Sequence, residues 1–202
     1  MSHGRYGFFC LHRRRFDEAI REMNKCLDLD PLMPLFYAWS ACAYWSAGRF
    51  DESLREFPRV LEIAPDFGLA YFHAGMAYSL KGLLDEAVET LEQGRKLPVP
   101  PGWIEGPLGL TYLKKGDREK AEVILEGMID SRKTIKNTSP AFIAFLAGEL
   151  GKLDLAFEYL DKACEERDSA MVNIHIHGPM FSPAIAADPR FKSLLARMKL
   201  NF

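Results

Sequence analysis

Four glycines recur at a nearly constant spacing along this chain. Gly48, Gly82, Gly116 and Gly151 lie 34, 34 and 35 residues apart. Each glycine separates two short segments of helical periodicity, so each marks a tight turn between two amphipathic helices. One such pair of helices cannot bury its apolar face alone, whereas stacked copies bury a continuous core. The spacing therefore predicts an all-α array of helix-turn-helix repeats.

The central repeat shows most clearly which side chains would hold such a pair together. Tyr71, Gly75 and Tyr78 share one face of its first helix, and Ala87 and Leu91 share one face of its second. Small residues at Gly75 and Ala87 would let the two backbones approach closely. Positions equivalent to Ala87 carry a small residue in four repeats: Ser53, Ala87, Ala121 and Ala156. Positions equivalent to Leu91 carry a large apolar residue: Phe57, Leu91, Leu125 and Leu160. We call these positions packing slots.

The period divides the chain into five repeats and a C-terminal segment. The predicted repeats cover about residues 1–33, 34–67, 68–101, 102–136 and 137–167, which together form an array over 1–167. Residues 168–202 are predicted to form an irregular crossing followed by one capping helix. That helix would begin at Asp188 and Pro189, which suit the N-cap and first helical positions.

The capping helix carries an apolar stripe at helical spacing. Phe191, Leu194, Leu195 and Met198 lie at i, i+3, i+4 and i+7. We expect this stripe to dock on the fifth repeat, because the open end of a repeat array needs cover. A position along the concave groove is the alternative. The charged side chains on the opposite face of the helix would then face water.

The period and the packing slots resemble those of tetratricopeptide (TPR) repeats over about residues 1–167. The resemblance implies a right-handed superhelical solenoid of about five repeats with a C-terminal capping helix. A second resemblance is narrower and rests on residues 156–167 and on the Asp-Pro-Arg-Phe sequence at 188–191. These segments resemble the C-terminal TPR region of bacterial multidomain signalling proteins and transcriptional regulators. That resemblance implies a sensor or partner-binding region that follows an effector domain in a longer protein.

In TPR proteins the first helix of each repeat lines a concave face that binds protein partners. The residues that fall in those slots here are largely apolar or aromatic, which implies an apolar peptide or helix as the partner. The predicted partner-binding residues are Phe8, Leu35, Trp39, Cys42, Trp45, Phe72, His73, Met76, Leu80, Trp103, Leu110, Phe142 and Phe145.

Two alternatives to an open groove remain. The groove could be filled by the chain itself or by a second subunit, which would make the array an oligomerisation scaffold and the protein a possible homodimer. The same side chains could also be ordinary core residues, because tight packing of successive repeats would bury them. The sequence gives no identity for the partner.

Composition and motifs exclude several other classes of function. The net charge of −2 gives no reason to expect nucleic acid or an anionic membrane as a partner, and no apolar run is long enough for a membrane span or a signal peptide. No catalytic motif is present, so we expect neither an enzyme nor a cofactor. His175 and His177 could supply two metal ligands, but no third lies at a suitable spacing. The four cysteines lie far apart, which favours reduced thiols and a cytoplasmic protein.

Overall fold

The computed structural model describes residues 2–135, 138–171 and 174–198, and within them the regular secondary structure is entirely helical. The chain forms two compact units, Met1–Val99 and Pro100–Phe202. Both units are built from pairs of short helices joined by tight turns, as the repeat predicts.

The N-terminal unit contains three helical pairs. Their bounds are α1 Ser2–His12, α2 Phe16–Leu29, α3 Pro34–Ser46, α4 Phe50–Ile63, α5 Gly68–Lys81 and α6 Leu84–Gly94. Each first helix packs against the second helix of its own pair, and α2 and α4 also pack against the first helix of the next pair. The core of the unit therefore runs continuously through all three pairs.

The turns inside the pairs depend on a left-handed backbone conformation. Gly48, Gly82, Gly116 and Gly151 have φ between 75° and 90°, a region that glycine adopts without steric cost. The first pair makes the same turn at Arg14, with a φ of 56°. Arg14 lies 34 residues before Gly48, so the turn geometry repeats where the glycine does not. The sequence pattern of glycines alone does not reveal this turn.

Gly75 confirms the predicted close approach of two helices. A Cβ atom built on Gly75 would lie 2.5 Å from both Cγ and Cδ2 of Leu91 on α6. Leu91 and Ala87 are both fully buried. Leu91 is therefore the side chain that fills the space above Gly75, on the same face of α6 as Ala87.

The C-terminal unit contains two further helical pairs. Their bounds are α7 Glu105–Lys114, α8 Arg118–Thr134, α9 Pro140–Glu149 and α10 Leu153–Glu165. Residues 140–148 of α9 are all buried. The helix packs against α7, α8 and α10, and on its remaining side against the segment that follows α10. Its uniformly apolar sequence is that of a helix enclosed by protein on all sides.

The segment after α10 is helical where we expected an irregular crossing. It forms a 3₁₀ turn at Ser169–Met171, then α11 Ile174–Phe181, α12 Pro183–Ala187 and α13 Pro189–Arg197. Pro183 and Pro189 begin helices instead of breaking them, because proline suits the first helical position. Ser182 and Asp188 supply the N-caps: the Ser182 hydroxyl accepts from the Ile185 N–H and the Asp188 carboxylate from the Arg190 N–H.

Helix α13 docks on α10, the second helix of the fifth repeat, as the end-cap prediction requires. Phe191 and Leu194 are buried. Arg190 donates to Asp154 at 2.8 Å and lies 4.2 Å above the ring of Phe157. Arg197 forms an ion pair with Asp161 about two helical turns later. Both arginine side chains remain exposed to water, as expected for this face of the helix, and both also pair with carboxylates of α10.

Candidate partner-binding surface

Most of the predicted partner-binding side chains are buried. The buried positions are Cys42, Trp45, Phe72, His73, Met76, Leu110, Phe142 and Phe145, each with 7% or less of its surface exposed. A side chain enclosed by its own chain offers no apolar surface to a partner, so the predicted open groove does not include these positions. The physical reason is that each first helix packs against helices of the neighbouring pairs as well as its own.

The remaining predicted positions are partly exposed. They are Phe8, Leu35, Trp39 and Leu80 in the N-terminal unit and Trp103 in the C-terminal unit. Three of the four in the N-terminal unit lie on neighbouring first helices, Phe8 on α1 and Leu35 and Trp39 on α3. The accessible part of the predicted surface is therefore concentrated on α1 and α3.

Trp39 is the centre of an aromatic cluster on these two helices. Its ring meets the Phe8 ring edge-on, with centroids 5.4 Å apart, and the Phe36 ring at a tilt, with centroids 5.2 Å apart. The indole also lies directly against the backbone of Gly4, where any Cβ atom would clash with it. Gly4 thus allows α1 to approach the indole closely. Sequence reasoning missed Phe36, although its position three residues before Trp39 would have indicated the contact.

His73 and Trp45 form a buried polar link between α5 and α3. The Trp45 indole N–H donates to His73 Nδ1 at 3.1 Å, so Nδ1 is the acceptor and the ring proton lies on Nε2. Burial lowers the pKa of His73 to about 3, because the interior disfavours the charged imidazolium. The neutral ring therefore satisfies the buried indole N–H, and its role in the structure is to stabilise the core.

In the C-terminal unit the predicted residues form a chain of aromatic contacts. Trp103 meets Phe142 at 5.7 Å between centroids, and Phe142 meets Phe145 at 5.9 Å. Only Trp103 in this group has an appreciable exposed surface. The other apolar side chains that the sequence assigns to a groove here, Leu110, Phe142 and Phe145, are buried.

Trp103 also borders an open pocket of about 200 Å³ in the C-terminal unit. Asp168 lies on its wall, and one oxygen of its carboxylate accepts from the Ser139 hydroxyl at 2.6 Å and from the Ala141 N–H at 3.1 Å. Asp168 thereby caps the start of α9 from a distance of nearly thirty residues. Sequence analysis placed this aspartate at the beginning of an irregular segment and did not assign it a role.

The two histidines that could have supplied metal ligands do not form part of a metal site among the described residues. Among the described residues, no cluster of three or more His, Cys, Asp or Glu side chains could hold a metal ion. His175 and His177 lie on helix α11, not on an extended strand. Residues two apart on a helix point in different directions, which removes the geometric basis for pairing them as ligands. Within the described part of the chain, no helix is long and apolar enough to cross a membrane.

Comparison with known families identifies the repeat. The family model for the tetratricopeptide repeat matches residues 36–67 and 69–96. These two segments thus match the sequence pattern of the tetratricopeptide repeat. They correspond to the helical pairs α3–α4 and α5–α6, which carry the Trp39 cluster and the Gly75–Leu91 contact. No curated protein sequence matches the chain.

Solved structures show that the whole chain has the TPR fold. A thermophilic TPR protein from Thermus thermophilus matches with a TM-score of 0.64 and 21% identity, over 89% of this chain and 97% of that one. PilF of Pseudomonas aeruginosa matches with a TM-score of 0.57 and 17% identity, over 98% and 90% of the two chains. The APC/C hetero-tetramer Cut9–Hcn1 gives a TM-score of 0.59 and 19% identity, over 95% of this chain and 41% of that one. At these identities the likeness concerns the fold alone.

Proposed function

We propose that this protein is a non-catalytic interaction module, and that its N-terminal unit binds an apolar peptide or helix on the surface formed by Phe8, Leu35 and Trp39. TPR folds generally mediate protein–protein interaction. The observation that carries the proposal is the partly exposed Trp39 cluster on α1 and α3. Tryptophan is among the side chains that most often dominate the binding energy of protein interfaces.

The packing of the cluster supports a preformed binding surface. Trp39 is held between Phe8, Phe36 and the backbone of Gly4, so its ring is already fixed before a partner arrives. A side chain that is ordered in the free protein loses little conformational entropy on binding. We therefore assign Trp39 as the fixed centre of the surface and Leu35 as a contact beside it.

The resemblance of residues 156–167 and 188–191 to bacterial regulators supports a more specific role. In that role the chain is the partner-binding part of a larger cytoplasmic signalling protein or transcriptional regulator, and binds neither nucleic acid nor membrane itself. Recovery of the complete open reading frame tests this. An effector domain encoded upstream supports the role, and a reading frame limited to this chain contradicts it.

An oligomerisation scaffold, whose groove is filled by its own chain or by a second subunit, is the second candidate, and the covering of α9 favours filling by the chain itself. In the C-terminal unit, α11, α12 and the 3₁₀ turn lie against α9, so the chain itself covers side chains that sequence analysis assigned to a groove. Sedimentation velocity on the purified chain separates the two candidates. A dimer that persists at micromolar concentration and is broken by Leu35→Ser favours the scaffold.

The binding proposal is tested by selecting peptides on the protein from a random displayed library. Affinity of a selected peptide is then measured by fluorescence anisotropy for the parent and for Leu35→Ser. Loss of one buried apolar anchor costs about 1–2 kcal/mol, which corresponds to about a 5- to 30-fold weaker Kd. Val123→Ser is the matched control, because Val123 is an apolar residue, 64% exposed, in the other unit.

The two variants must behave differently for the proposal to hold. Leu35→Ser should weaken binding while circular dichroism shows an unchanged helical spectrum, and Val123→Ser should bind like the parent. Peptides whose affinity is insensitive to Leu35 would place the binding surface elsewhere.

A further inference from the structure

Two buried glutamates occupy the same position in successive repeats of the N-terminal unit. Glu22 on α2 and Glu56 on α4 are 34 residues apart and are 8% and 6% exposed. In the first repeat both carboxylate oxygens of Glu22 have partners: His3 Nδ1 lies 2.6 Å from Oε2 and Lys25 Nζ lies 2.7 Å from Oε1. The first repeat therefore satisfies its buried carboxylate completely.

The second repeat lacks one of these two partners. Arg59 takes the place of Lys25 and lies 3.6 Å from Glu56 Oε1. The residue 34 positions after His3 is Tyr37, but its hydroxyl donates to the carbonyl oxygen of Pro31 at 3.0 Å. Among the described residues no group donates to Glu56 Oε2, which is buried. A buried acceptor without a donor is costly, so native proteins usually satisfy it with protein or water.

A small cavity lies beside Glu56, between α3, α4 and α5. Its volume is about 10 Å³, which is the space occupied by the centre of one water molecule. Glu56, Tyr37, Ser53 and His73 contribute polar side chains to its wall. The cavity is too small for a side chain of a partner. A metal cation would need more oxygen ligands than these residues leave available.

The protonation of His73 gives the cavity a donor as well as an acceptor. The Trp45 N–H occupies Nδ1 of His73, so the ring proton is on Nε2. The burial that lowers the pKa of His73 also raises the pKa of Glu56, which indicates that neither group is well solvated. A water molecule between them would have a donor for one of its lone pairs and an acceptor for one of its hydrogens.

We propose that this cavity is a binding site for one ordered water molecule, which accepts a hydrogen bond from His73 Nε2–H and donates one to Glu56 Oε2. The water takes over in the second repeat the role that His3 plays in the first. It links α4 to α5 and so joins the second repeat to the third through polar contacts inside the core.

A crystal structure of the chain at about 1.8 Å resolution tests the geometry directly. We expect density for a water within about 2.6–3.2 Å of both Glu56 Oε2 and His73 Nε2. Density for no water in the cavity, or a direct bond between the two side chains, overturns the proposal.

Solution NMR supplies an independent test with a matched control. In protein labelled with ¹⁵N-histidine, the Nε2–H signal of His73 should show a cross-relaxation peak to long-lived bound water. Glu56→Leu removes the acceptor and should abolish this peak, whereas Glu22→Gln at the equivalent position should leave it unchanged. A peak that persists at full intensity in Glu56→Leu refutes the bridge. If that variant does not fold, absence of the peak from the parent protein refutes it equally.

Discussion

Protonation of His73 should make the N-terminal unit sensitive to acid. The ring is buried between α3 and α5, and burial lowers its pKa to about 3, compared with an ordinary value near 6.5. The folded protein thus keeps His73 neutral, whereas the unfolded chain binds a proton as the pH falls below 6.5. The contribution of neutral His73 to the free energy of unfolding is therefore fully present above pH 6.5 and is lost as the pH falls toward 3.

The size of the effect follows from the two pKa values. From pH 6.5 down to pH 5, an interval of about 1.5 pH units, His73 in the unfolded chain binds a proton and so stabilises the unfolded state. In the folded protein His73 binds almost no proton over this interval. At about 1.36 kcal/mol per unit, the free energy of unfolding should fall by roughly 2 kcal/mol because of His73 alone. The result depends little on the folded pKa, provided that it lies below about 4.

Urea denaturation at pH 7 and pH 5 measures this contribution when the parent is compared with His73→Gln. Glutamine can still accept from the Trp45 N–H through its side-chain oxygen but does not titrate. The variant should therefore lose about 2 kcal/mol less than the parent over this interval. Other titrating groups, including the nearby Glu56 with its raised pKa, are common to both proteins and cancel in the comparison.

Ser79→Ala is the control for a general weakening of α5. Ser79 is a buried polar residue of the same helix and has no titrating group. Its stability difference from the parent should be the same at both pH values. If the parent and His73→Gln lose equal stability between pH 7 and pH 5, His73 is accessible to protons in the folded protein and the reasoning fails.

Three further predictions concern packing and are measured by chemical denaturation. Gly75→Leu should cost about 1–3 kcal/mol because its side chain would overlap Leu91, and an unchanged midpoint would show that the two helices do not meet there. Leu194→Ala should cost about 2–5 kcal/mol, since Leu194 is 1% exposed; a near-neutral result would mean that α13 is undocked in solution. Asp168→Ala should cost about 1–3 kcal/mol by leaving the Ser139 hydroxyl and the Ala141 N–H without their acceptor, and retained stability would argue against the α9 cap.

The repeat period and the turns were predictable from the sequence because they depend on local structure. A glycine with φ near 80° is required at a tight turn whatever lies beyond it, so Gly48 and Gly82 mark their turns by residue type alone. The apolar stripe of α13 and its Asp188 cap are equally local. Arg14 is the exception: it adopts the same left-handed turn conformation, but an arginine in the sequence does not predict such a turn.

The partner-binding surface was predicted only in part, because exposure depends on neighbours that are distant in sequence. The position of a residue in the repeat predicts the face of its own helix on which the side chain lies. It does not predict which other helix packs against that face. Phe145 was assigned to the groove and is nevertheless fully buried, on a helix that packs against α7, α8, α10 and the segment after α10. Leu35 and Trp39 have the same kind of slot and remain partly exposed.

By itself the sequence determined the helical pairs, their turns, the close contact at Gly75 and the amphipathic helix that ends the array. All of these follow from the periodicity of one or two helices and from the conformational freedom of glycine. Only the tertiary structure decided which apolar faces are covered and where buried polar groups find partners. The difference between Glu22 and Glu56 illustrates the reason: the same residue in the same slot is satisfied or not according to which side chain the preceding helix presents to it.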